Sequence, residues 1–343
     1  MKALVFDAPW KMPLRDVPEP EARALEVIVR VRAVGICGSD VHGFTGSTGR
    51  RKPGIIMGHE FAGEIIAFDE GALGEGVLEF QIGDRVAINP LVTCGECEPC
   101  RSGLENICER RLGIGWSVDG AYAQRVRVPV RNLRRLPDSL EWHRAAMIEP
   151  LAVALRAVNL TPLELGATAV VIGAGAIGLL TVLALKCKGA GTVIVSDPNA
   201  HRLELAKRIG ADHVINGNEV DPVQAVLDLT NARGANAVIE AVGITATVEH
   251  SVRMCRNGGA ITWIGNSAPR VELPMQEVVT RELRIQGSYG FGKEFDRALE
   301  MLATNRLDVT PLIELIAPLE QGEQIITDLA KGTLPALKVV LEP

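Results

Sequence analysis

The chain has no uninterrupted apolar run long enough to cross a bilayer. Its longest candidate, residues 167–185, is broken by Gly173, Gly175 and Gly178. It reads as a buried strand followed by a helix, since a membrane span needs about 20 consecutive apolar residues. Neither sign of charge dominates. Across 343 residues, 36 basic and 42 acidic side chains are mixed and give a net charge of −6. This argues against a nucleic-acid or membrane partner. The opening segment carries Asp7 and Pro9 and lacks the sustained apolar core of a secretion signal. No internal repeat or low-complexity tract is present. Cysteine is scarce, with seven in all. Clustered thiols without an export signal predict a reducing, cytoplasmic setting.

Four of those seven cysteines fall together, in the run Cys94-Gly-Glu-Cys97-Glu-Pro-Cys100 followed by Cys108. The spacing C-x2-C-x2-C-x7-C lets four thiolates converge on one tetrahedral zinc. A site filled by four sulfurs has no position for water or substrate, so it reads as a structural staple for a loop without its own core. An iron–sulfur cluster and two disulfides are the competing readings of the same spacing. Cys187 and Cys255 fall in predicted helices and read as buried thiols.

The length suggests about two domains. The first ~130 residues are rich in strand signals and punctuated by glycine and proline. Residues 26–33 alternate apolar and polar side chains, residues 61–68 and 85–88 are further strands, and Gly83-Asp84 marks a turn. From about residue 145 the pattern changes. A helix at 151–160 precedes strand 169–172, helix 176–188, strand 193–196, helix 200–209, strand 237–241, helix 247–255 and strand 260–264. This alternation predicts a doubly wound parallel sheet. After residues 283–286 the pattern changes again, with a helix near 295–304 and a closing strand at 336–341.

The segment Val170-Val-Ile-Gly173-Ala-Gly175-Ala176-Ile177-Gly178 is a strand entering G-x-G-x-x-G and then a helix. The first glycine makes the tight turn, the second admits a pyrophosphate to backbone N–H groups, and the third lets helix and strand pack closely. Asp197 ends the next predicted strand. It suits the ribose hydroxyls of NAD and would repel the 2′-phosphate of NADP, although an N-cap role for the helix at 200 also fits. Arg202 could reach a phosphate there, but it reads rather as lying over the adenine or facing water.

Two glycine-rich segments carry isolated ligand-type residues: Gly35-Ile-Cys37-Gly38-Ser39-Asp40-Val-His42 and Gly58-His59-Glu60-Phe-Ala-Gly63-Glu64. Read singly, Cys37 could be a buried thiol, His59 a core histidine and Glu60 a surface acid. Their order, followed by the four-cysteine lobe, Ile148-Glu149-Pro150-Leu151 and the glycine fingerprint, closely resembles the zinc-containing medium-chain dehydrogenases over essentially the whole chain. Glu149 stands where the alcohol dehydrogenase branch has a second cysteine, as in the polyol, sugar and threonine dehydrogenases.

That resemblance implies a GroES-like β-barrel catalytic domain at 1–149 and 286–343, with the cysteine lobe at about 90–112. It implies an inserted Rossmann NAD-binding domain at 150–285. It also implies two zinc ions per chain. Cys37, His59 and a carboxylate, Glu60 or Glu149, would hold the catalytic zinc with one position open, and Asp40 would orient His59. The implied reaction is reversible hydride transfer from a small alcohol or polyol to NAD+, with the proton leaving through Ser39 and His42. A homotetramer, or else a dimer, is the implied assembly. Phe44, Glu149 and residues 288–291 are candidate pocket residues. L-Threonine or a simple diol is the alternative substrate. The run Arg50-Arg51-Lys52 reads as a solvated loop, with a sugar-phosphate contact as its rival.

Overall fold

A computed structural model describes residues 1–49, 51–68 and 80–343. It divides into two compact units, Met1–Glu149 with Phe295–Pro343, and Pro150–Glu294.

The spine of the first unit is strand Glu26–Gly35. Its residues Val27 to Val29 and Val31 are buried, while Arg30 and Arg32 reach water, so the half-buried period of a strand shows over residues 29–33. Strand Glu60–Phe68 pairs with it antiparallel, and Arg125–Pro129 and Lys338–Glu342 also pair with it. Strands Arg85–Ile88, Leu133–Arg135 and Ile313–Pro318 complete a seven-stranded sheet. Lys2–Phe6, between Leu14–Asp16 and Ile55–Ile56, forms a second sheet. One continuous core joins them, including Leu4, Phe44, Ile65, Val86 and Tyr122.

Register in this sheet decides what meets at the site. Gly35 lies opposite Glu60 on one neighbour and opposite Val340 on the other. A Cβ at position 35 would lie 2.3 Å from Glu60 Oε2 and 3.3 Å from Lys338 Cε. Glycine is therefore required for those two side chains to meet across the spine. Helix Gly38–Phe44 follows at once, with Cys37 as its N-cap.

The second unit holds six parallel strands: Thr168–Ile172, Thr192–Asp197, His213–Asn216, Ala235–Glu240, Cys255–Trp263 and Arg284–Gly287. Counted in chain order, they run 3-2-1-4-5-6 across the sheet, the order of a doubly wound nucleotide-binding fold. The fifth strand begins at Cys255 rather than near 260. Asn257-Gly258-Gly259 hides its start, and the register shifts beside it. Helix Pro222–Leu229 and strand His213–Asn216 escaped the periodicity reading. Cys255 is buried as expected, but Cys187 is exposed in the last turn of helix Ala176–Lys188. Among the described residues, no helix is long and apolar enough to cross a membrane.

Candidate metal and cofactor sites

In the cysteine lobe the four sulfurs gather within 4.8 Å of one another. Cys94 and Cys108 Sγ are 3.5 Å apart, Cys97 and Cys108 3.8 Å, and Cys94 and Cys100 3.9 Å. A zinc tetrahedron with bonds of about 2.3 Å has S···S edges of about 3.8 Å, so the donor set fits the ion. These separations are far too long for S–S bonds, and all four cysteines are free. Backbone N–H groups of Glu96 and Cys97 lower the Cys94 thiol to about 6, while burial pushes Cys100 up to about 12. A thiolate is thus already favoured at one corner.

A second cluster joins Cys37, His59 and Glu60, whose ligand atoms also lie within 4.8 Å. Helix Gly38–Phe44 presents Cys37 Sγ at its N-terminus, where it accepts from the Ser39 N–H and hydroxyl, both at 3.4 Å. Glu60 opens the neighbouring strand, and His59 immediately precedes it. Glu60 Oε1 is buried without a partner while Oε2 is paired with Lys338. An orphaned carboxylate oxygen beside a thiol and an imidazole fits a cation. Glu149 falls outside this group of three, although its charge is felt by the same residues. Burial lifts its pKa to about 7; Glu60 and Asp40 add to the rise, and His59 and Lys338 oppose it.

Asp40 is wholly buried. Its Oδ2 accepts from Tyr122 Oη at 2.9 Å and lies 3.4 Å from His59 Nδ1, and Arg51 reaches its Oδ1 at 3.1 Å. Burial alone would raise the Asp40 pKa, but His59, Arg51 and Tyr122 outweigh it and hold the carboxyl down at about 2. Burial likewise opposes a charged His59, but Asp40 and Cys37 overcome it and raise the imidazole well above its ordinary value.

The reading of the basic run at 50–52 has to be corrected at Arg51, whose side chain is buried and paired with Asp40 rather than solvated; Lys52 is exposed as expected, and Arg50 lies outside the described residues. Phe44 is a core residue in edge contact with Trp10, with no exposed surface to line a pocket. Sequence reasoning missed Lys338 and Trp116. The Trp116 ring stands edge-on to His59 at 5.2 Å, seated over Gly113, where a Cβ would meet it at 1.7 Å. Ser39 and His42 are exposed on the short helix.

In the second unit the glycine loop has the shape a dinucleotide needs. Gly173 has φ +96°, and a Cβ there would strike Val242. At Gly178 a Cβ would lie 1.8 Å from the Gly173 carbonyl oxygen, whereas the space at Gly175 is open. Ala176 and Ile177 begin the helix behind it, whose first turn has no acid, which suits an anion. Asp197 is buried; its Oδ2 accepts from the Ala174 N–H at 2.7 Å and its Oδ1 from the Asn199 N–H at 2.8 Å. Asn199, not Asp197, caps the next helix through the Arg202 N–H. The Arg202 side chain is half-buried in that first turn. Of the late loop, Phe291 is buried and Tyr289 exposed.

Residues 23–138 match the alcohol dehydrogenase GroES-like domain and residues 176–304 the zinc-binding dehydrogenase domain. The chain is 36% identical over 349 residues to sorbitol dehydrogenase of Bacillus subtilis (strain 168), spanning 100% of this chain and 97% of that protein. Among solved structures it is similar to a zinc-binding dehydrogenase of Sinorhizobium meliloti 1021 bound to NADP, with TM-score 0.92 and 31% identity over 100% of this chain and 99% of that one. Galactitol-1-phosphate dehydrogenase from Escherichia coli superposes with TM-score 0.92 and 30% identity over 100% of both chains.

Proposed function

The chain belongs to the zinc-dependent medium-chain dehydrogenases of the polyol branch, oxidoreductases acting on CH–OH groups, and from that membership we propose that it oxidises a secondary hydroxyl of a small polyol or sugar derivative with NAD+. The observation that carries the reading is the cluster of half-buried Cys37 with buried His59 and Glu60. Zinc held there supplies a Lewis acid for the hydroxyl oxygen, and NAD+ supplies the hydride acceptor. A second zinc belongs to Cys94, Cys97, Cys100 and Cys108.

The chain's own residues do the rest. Glu60 offers Oε1 toward the metal because Lys338 holds its other oxygen. Asp40 Oδ2 lies 3.4 Å from His59 Nδ1 and faces that nitrogen, so Nε2 would be the ligand atom. The Ser39 hydroxyl, beside Cys37 Sγ, takes the proton released from the substrate and passes it toward His42, which faces water on the same helix. Glu149 offers a carboxylate for a second, vicinal hydroxyl. An apolar alcohol would leave that carboxylate unpartnered, at a cost of about 1–3 kcal/mol. The backbone of residues 173–178 receives the pyrophosphate. Asp197 receives the adenosine ribose, and its charge disfavours a 2′-phosphate. The assembly proposed is a homotetramer, which light scattering reads directly.

The test is a panel of initial rates with NAD+ and NADP+ over sorbitol, galactitol, their phosphates, 2,3-butanediol, L-threonine and 1-hexanol. The highest kcat/KM is expected with a polyol and NAD+. Preference for 1-hexanol would refute the polyol reading, and faster turnover with NADP+ would remove Asp197 from its role.

A further inference from the structure

Arg51 is among the most deeply placed cations in the first unit, with a side chain 7% exposed. Its guanidinium meets Asp40 Oδ1 at 3.1 Å, and its Nε is buried without a partner. A buried cation is costly unless paired, so Asp40 is what holds Arg51 there. The fold also makes room for its stem. A Cβ at Gly43, on helix Gly38–Phe44, would sit 2.7 Å from Arg51 Cγ and 3.1 Å from its Nε. The same helix therefore carries Asp40 and the gap that admits the arginine.

Asp40 has three neighbours: Arg51 on Oδ1, and Tyr122 and His59 on Oδ2. A histidine that ligates a metal is neutral at its ligand nitrogen. Once His59 serves as a ligand, Arg51 is the full positive charge left in contact with Asp40. It pins one carboxylate oxygen, so the other stays aimed at His59 Nδ1.

We propose that Arg51 is a positioning residue for the catalytic metal: through Asp40 it fixes the ring orientation and tautomer of His59, and so sets how tightly and with what geometry the ion is held. This rests on the assignment of Cys37, His59 and Glu60 as the catalytic metal site. Loss of an outer partner of a metal-bound histidine commonly weakens metal affinity about 10–100-fold.

The test uses the full-length protein loaded with zinc, and separately with Co2+ at the catalytic site. Release to a chelator is followed by metal content, and the cobalt site by its visible d–d and thiolate charge-transfer bands. In Arg51→Met, catalytic-metal affinity should fall about tenfold or more and the d–d bands should move, while the structural zinc stays bound. Gly43→Ala keeps every charge and should favour the helix, but it pushes Arg51 aside. It should weaken the same ion several-fold. The double variant should be no worse than Arg51→Met alone, because both changes act through one contact. Unchanged affinity and unchanged cobalt bands in either folded single variant would overturn the proposal. Wild type that takes up one metal per chain, or cobalt without a thiolate band, would instead bring down the site assignment and the proposal with it.

Discussion

Replacing Lys338 with methionine tests how the catalytic pocket tolerates its own charge. Lys338 is 2% exposed and Glu60 1% exposed, and each is the other's ion-pair partner. Lys338 Nζ also donates to the Ile36 carbonyl at 3.2 Å. Methionine fills nearly the same volume, so the loss is charge and hydrogen bonding rather than packing. Breaking a buried pair from one side costs about 3–5 kcal/mol, because the remaining ion has no solvent. In the metal-free protein that cost falls on Glu60, whose other oxygen is already unpartnered. With zinc bound, the ion replaces the lost counter-charge, and most of the cost should vanish. For a unit of this size, about 3 kcal/mol corresponds to a fall in Tm of roughly 6–12 °C. Thermal melts of wild type and K338M, each with and without catalytic zinc, give the four numbers required. Equal losses with and without zinc, or a metal-free loss under about 1 kcal/mol, would show that Lys338 does not balance Glu60.

Three further outcomes are expected. Cys97→Ser should lower zinc content by about one ion per chain by mass spectrometry and speed proteolysis of the lobe, while substrate KM stays unchanged. Asp197→Ala should narrow the NAD+ over NADP+ ratio of kcat/KM by about tenfold, through lost ribose hydrogen bonds of about 1–3 kcal/mol, and should also loosen the Ala174 and Asn199 N–H groups it now holds. The metal-free protein should take up zinc more weakly as pH falls below about 7. Glu149, raised from 4.5 to about 7, carries the negative charge only above that value, and ligands must shed protons before they bind. The sign for stability is opposite. The metal-free fold keeps a proton on Glu149 that the unfolded chain loses, so this contribution is full below 4.5 and disappears as pH rises through about 7. Chelator competition and pH-dependent melts read the two trends separately.

The parts of the site that could be read in the sequence are those whose chemistry is local. Cys94, Cys97, Cys100 and Cys108 carry their geometry in their spacing, and the turn through Gly173, Gly175 and Gly178 is written in consecutive residues. Cys37, His59 and Glu60 could be picked out only through the resemblance to a family, because no spacing rule links a thiol to an imidazole in another segment. What stayed hidden depends on strand register. Lys338 meets Glu60 across 278 residues of sequence because Gly35 lies between their strands. Arg51 looked like part of a charged surface run, and only the space at Gly43 reveals that it turns inward. Cys187 and Cys255 sat in equivalent predicted helices, but Cys255 opens a buried strand while Cys187 ends a helix at the surface.

The discontinuity of the first unit has a consequence for how the protein is made. Residues 150–294 are contiguous and can fold as soon as they clear the ribosome. The half-built unit ahead of them then holds Glu60 with no lysine to face. At about 5–20 residues per second, the 278 residues separating the pair represent roughly 15–55 s of synthesis. During that interval the pocket must stay open to water or borrow a cation. A zinc ion captured at this stage would act as a temporary counter-charge for Glu60 until Lys338 arrives.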